Sequence, residues 1–172
     1  MRIQRAAVVR TGRILSLLLL AGMFVLPSSP VYAVGNTARS ALSDATTEAK
    51  KWQPDAVLTS VSSLTVDKDG HAVSWFYGFY SPKARKFLNV TAKGRAIETL
   101  ELPTGQTAAV NADFLDSDKI MEQAVQSGLK GDSPRIQLTR TSWLVSGGTQ
   151  KGDVIVFLNP LTAKLIKRQS VE

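Results

Sequence analysis

The chain of 172 residues has no cysteine and a single histidine. Without cysteine there is no disulfide, no thiolate metal site, no cysteine nucleophile and no lipid attached through a cysteine thiol. A lone histidine, His71, leaves a histidine triad or a histidine-based metal site without partners. It follows Gly70 directly and reads as an imidazole beside a turn. Glycine-rich phosphate loops, Gly-x-Ser-x-Gly elbows and His-Glu-x-x-His pairs are all missing. "SGG" at 146–148 is a loop. Nothing in the composition asks for a cofactor or a metal.

Acidic residues are missing from one region in particular, the first 33 residues, which carry Arg2, Arg5, Arg10 and Arg13. An apolar run from Ile14 to Leu26 follows, then Pro27, Pro30 and the small residues around Ala33. A basic start, an apolar core and small residues before a cut form a secretory leader, with cleavage expected after Ala33. A spanning helix needs about 20 apolar residues, more than this run supplies. No Arg-Arg pair suggests the twin-arginine route. The protein is therefore expected to be exported, periplasmic or extracellular, with no stable membrane span once the leader is gone.

Removing the leader changes the charge. The whole chain has 21 Lys and Arg against 14 Asp and Glu, and the leader holds four of the basic residues. The remainder carries 17 minus 14, or +3. That is too mild for a nucleic-acid binder, and export argues against one as well.

Beyond the leader, Ala38, Leu42, Ala45, Ala49 and Trp52 make a helical stripe that stops at Pro54. "AVLTSVSSLTV", "AVSWFYGFY", "KFLNVT" and "AIETLEL" then read as strands, divided by "DKDG", "SPKAR" and Lys93-Gly94. In the second of these, Val73, Trp75, Tyr77 and Phe79 are expected on the core face, with Phe76 and Tyr80 opposite. A second helix is expected from Asp116 or Ser117, with Ile120, Met121, Ala124, Val125 and Leu129 inward and Gly128 or Gly131 at its end. "RIQLTRTSWLVS", "DVIVFLN" and "KLIKRQSV" close the chain as strands.

Local wording recurs in order. "SDATTEA" (43–49) matches "SDKIMEQA" (117–124), "SW" occurs at 74 and 142, and "FLNVTAK" (87–93) returns as "FLNPLTAK" (157–164). The sequence predicts an α+β protein of two similar units, each one helix on a three- to four-stranded antiparallel sheet, over 34–106 and 107–172, with 1–33 as leader. The repeated "FLN…TAK" is expected to be one hairpin connection used twice.

The endings "VFLNPLTAKLIK" (156–167) and "KFLNVTAKGRAI" (86–97) resemble the close of PepSY-type and related cystatin-like exported domains. Asn89 and Asn159 stand where that pattern usually has Asp, and Ala163 stands where its Gly is common. The resemblance implies a non-catalytic exported module that binds another envelope protein or restrains a peptidase.

Two acidic groupings have structural readings. "DKDGH" lacks the third oxygen ligand and the later Glu of a calcium loop, since position 76 is Phe, so it reads as a hairpin turn. Asp113, Asp116 and Asp118 read as helix caps. The expected site is a partner surface of Phe76 and Tyr80 with Lys83, Arg85 and Lys86 beyond them, aromatic rings rimmed by cations. The alternative is a small-ligand carrier or small enzyme with a pocket between helix and sheet.

Overall fold

The computed structural model of the chain describes residues 35–148 and 152–171. The expected leader lies outside them. In chain order the elements are α1 (Leu42–Trp52), β1 (Val57–Ser63), β2 (Ser74–Ser81), β3 (Lys86–Lys93), β4 (Ala96–Leu102), α2 (Ser117–Gln126), β5 (Arg135–Leu138), β6 (Trp143–Ser146), β7 (Val154–Leu158) and β8 (Leu165–Ser170).

All eight strands belong to one antiparallel sheet, ordered β4-β3-β2-β1-β5-β6-β7-β8. This corrects the expected fold class. Two separate helix-on-sheet units do not exist, because β1 pairs directly with β5 through Val61–Leu138, Ser62–Gln137 and Ser63–Ile136. An edge strand with free N–H and C=O groups is stabilised by a partner edge, and here each run of strands supplies the other's.

The strand count also differs from the expected one. "RIQLTRTSWLVS" is two strands, since Thr139 and Ser142 close a turn: Thr139 donates its N–H to the Ser142 carbonyl at 2.9 Å, and Thr139 Oγ1 accepts from Ser142 N–H at 3.3 Å. A threonine hydroxyl that satisfies a turn amide replaces the glycine or proline signal a reader looks for.

Helix α1 presents Ala45 and Ala49 to the sheet, small side chains that let it lie close. In α2, Ile120, Met121 and Ala124 are buried, whereas Val125 is 52% exposed, off the core face where the spacing placed it. Asp116 caps α2 by accepting from Ser117 N–H at 2.8 Å. Gly128, at φ +88°, ends it: Gly128 N–H reaches the Val125 carbonyl and Leu129 N–H the Ala124 carbonyl. Under the helices, Trp75, Tyr77 and Phe79 are buried as read, but Val73 is 57% exposed. It precedes β2, whose alternation begins only at Ser74.

Each half ties its helix approach to the sheet through a tryptophan. Trp75 Nε1 donates to the Asn36 carbonyl at 2.7 Å, and Trp143 Nε1 to the Leu115 carbonyl at 3.2 Å. Tyr77 adds its hydroxyl to the Ala38 carbonyl at 2.9 Å, and burial first, then the Asp116 carboxylate, pushes that phenol far up from its usual range.

The repeated "FLN…TAK" is not one connection used twice. Asn89 lies inside β3, opposite Gly78 and Leu100, with its side chain on Thr91 Oγ1 at 3.1 Å. Asn159 follows β7 and builds a turn, its Oδ1 accepting from Leu161 N–H (2.9 Å) and Thr162 N–H (3.1 Å). The true counterpart of "NPLTAK" is "SPKARK" at 81–86. In both, the first side chain accepts from the residue three on, and the fifth residue returns its N–H to the first carbonyl at 2.8–2.9 Å. That fifth residue is left-handed without being glycine: Arg85 at φ 53° and Ala163 at φ 55°.

A left-handed non-glycine residue costs about 1 kcal/mol, and the gain from glycine is partly offset by its freer unfolded chain. Ala163→Gly is therefore expected to raise the melting temperature by about 2–4 °C in a thermal scan. An unchanged or lower melting temperature would show that the turn is not strained.

Candidate functional site

Both helices pack on one face of the sheet, and no described helix covers the other. Alternation dictates what the open face displays. From β2 come Phe76, Gly78 and Tyr80, from β3 Phe87, Asn89 and Thr91, and from β6 and β7 Leu144, Ile155 and Phe157. These are mostly half-buried, shielded by neighbouring side chains; Lys167 Nζ, for one, lies 5.6 Å over the Phe157 ring centroid.

Phe76 and Tyr80 sit on this face as expected. Tyr80 packs on Phe87, ring centroids 4.9 Å apart. The connection after β4 also touches this ring: a Cβ on Gly105 would lie 2.6 Å from Phe87 Cδ1. Gly78 does not leave a vacant notch for an incoming backbone, because Ser60 Oγ fills it, 2.4 Å from where a Cβ would stand.

The basic residues divide. Lys83 and Arg85 are exposed in the β2–β3 turn, beside Tyr80 and at the far end of β2 from Phe76. Asp55 anchors this turn, accepting from Lys83 N–H and from Ser81 Oγ, both at 2.8 Å. Its carboxyl is held below the usual range, first by the Lys83 N–H, against a smaller opposing effect of desolvation.

Lys86 faces the other way. It pairs across from buried Ser81 and meets Glu101 at 3.2 Å on the helix side, so it is not part of the aromatic face. Glu101 also accepts from Trp52 Nε1 at 2.7 Å. Its carboxyl is lowered from 4.5, first by the Trp52 N–H and then by Lys86. A depressed carboxyl contributes stability above its unfolded value and loses it as pH falls through the folded value. Below about pH 4.5 the wild type should therefore lose melting temperature faster than Glu101→Gln. Parallel pH profiles would remove this tether.

Sequence reading missed Phe87, Leu144, Ile155 and Phe157. The period-2 alternation used for "SWFYGFY" applies equally to "WLVS" and "VIVFL", where Trp143, Val145, Val156 and Leu158 are buried and the residues between them face out. It also missed Leu64, 65% exposed just beyond β1.

Elsewhere, a cleft of about 640 Å³ beside the start of α2 is lined by Lys68, Asp69, His71, Asp118, Lys119 and Glu122. His71 Nδ1 lies 3.6 Å from Asp67, and Lys119 pairs with Glu122 at 3.5 Å. No group of three metal-capable side chains occurs among the described residues. Nor is any described buried side-chain nitrogen or oxygen left without a partner. No described helix is long and apolar enough to cross a membrane.

No family model and no curated protein matches the chain. Among solved structures, a candidate lipoprotein from Clostridium difficile 630 is similar in fold, with a TM-score of 0.50 at 12% identity, covering 75% of this chain and 91% of that one.

Proposed function

We propose that this is an exported, non-catalytic binding protein whose open sheet face docks another protein of the cell envelope. The observation that carries the reading is the sheet face that no described helix covers, which presents half-buried aromatic and aliphatic side chains along several strands. Large apolar patches left in water mark interaction surfaces. The leader-like first 33 residues and the resemblance to PepSY-type exported modules support the location, and a peptidase is one fitting partner. The fold neighbour's description as a lipoprotein agrees with an envelope setting.

The ligand-carrier alternative gains no support, because Trp75, Tyr77, Phe114, Ile120 and Met121 fill the space between helices and sheet. Phe76→Ala and Tyr80→Ala together are expected to cut recovery of the main protein crosslinked to the exported chain by about ten-fold. Melting temperature should move by no more than about 3 °C. Undiminished recovery would sink the reading. So would a melting temperature lowered by much more, since the rings would then be core.

A further inference from the structure

The open face is not uniform. At the end where β1 leaves the sheet, Leu64 stands as a ridge between two depressions. One, of about 260 Å³, is lined by Val73, Ser74 and Phe76; the other, of about 370 Å³, by Arg135, Gln137, Leu144 and Ile155. Leu64 is 65% and Val73 57% exposed. Each depression is large enough to take one large apolar side chain.

Arg135 gives this end a charge. It is exposed, faces outward because its neighbour Ile136 is buried, and makes no ion pair with any described carboxylate. The strands turn one acid to this face, Glu98 on β4. It is four strand spacings from β5, or about 19 Å. Asp153, just before β7, has its carboxylate against Gly148. An arginine unpaired beside apolar side chains suits an incoming carboxylate, which its planar fork can grip through two hydrogen bonds.

We infer that this end of the face docks an acidic-apolar segment of the partner: an Asp or Glu meeting Arg135, with a large apolar side chain on either side entering the depressions that flank Leu64. This rests on the docking role proposed above and adds the chemistry of what docks.

The test uses exported protein recovered from cells making the full chain, labelled with ¹⁵N. It is titrated with acetyl-Gly-Ser-Leu-Asp-Phe-Ser-Gly-amide and with the twin peptide carrying Lys in place of Asp. Saturable amide shifts are expected at Leu64, Val73, Phe76, Leu144 and Ile155, with the acidic peptide binding at least about ten-fold tighter than its twin. Arg135→Glu, at an exposed position, should keep the dispersed spectrum and reverse the order of the two peptides. Leu64→Ser should weaken both several-fold. Any of three results overturns the inference: no saturable shift up to about 1 mM, shifts centred elsewhere, or a peptide order that Arg135→Glu leaves unchanged. Crosslinking separates this from the broader reading. If Phe76 and Tyr80 variants lose the partner while Arg135→Glu retains it fully, only the acidic-segment inference falls; if all three retain it, both fall.

Discussion

Gly70→Ala is expected to lower the melting temperature by about 10–15 °C, read by circular dichroism, from a loss of about 3–5 kcal/mol. Gly70 is left-handed at φ +81°, which costs alanine about 1 kcal/mol by itself. The larger share comes from backbone. A Cβ there would lie 2.5 Å from the Ser117 carbonyl carbon and oxygen and 2.6 Å from Asp118 N, none of which can rotate away. Moving the start of α2 would break the buried Ser117 hydroxyl, which donates to the Gly70 carbonyl at 2.6 Å and accepts from Ala38 N–H at 2.9 Å. Three segments meet at that one oxygen, and stranding two buried backbone groups costs about 1–3 kcal/mol each. Gly94→Ala is the control: φ is +59°, but nothing lies within 4 Å of its Cβ position, so a drop of about 3 °C is expected. Equal effects for the two would mean that the Gly70 contact does not hold the helix.

Trp143→Ala should be comparably severe, about 3–5 kcal/mol by chemical denaturation. The side chain is fully buried, packs edge-on against Phe114 with centroids 5.6 Å apart, and donates to the Leu115 carbonyl. Alanine would leave a cavity under α2 and an unpaired carbonyl at the helix approach. Trp143→Phe keeps most of the packing and loses the hydrogen bond, so about 1–2 kcal/mol is expected. If the alanine variant cost no more than the phenylalanine one, the indole ring would not be packing the core.

Much of the local structure could be read from the residues because it obeys local rules. "SWFYGFYS" alternates without interruption, and Trp75, Tyr77 and Phe79 go inward accordingly. The end of α2 follows from Gly128. What the residues did not reveal is non-local. Ser62 and Gln137 have no feature that marks them as partners, so the joining of two runs of strands into one sheet had no signature in either. Short similarity was misleading where it crossed a change of role. "FLN" sits inside β3 in one place and ends β7 in the other, because the hydrogen bonds of a strand accept the same three residues as the approach to a turn. The candidate face was half legible. Phe76 and Tyr80 followed from alternation, but Lys86 was placed by proximity in sequence, and one residue of register sends a side chain to the opposite face.

The junction between β1 and β5 rests on three residue pairs, while β2 and β3 share eight. Its partners also lie far apart along the chain, from 63 to 136 and from 61 to 138. Every other strand pairing joins chain neighbours. Closing a long loop is entropically unfavourable until other contacts offset it, so the two meanders should assemble early and the junction last. Under native-state hydrogen exchange, amides of residues 61–63 and 136–138 should then open at a lower free energy than those of β2 and β3, as a hinge line between two cooperative blocks.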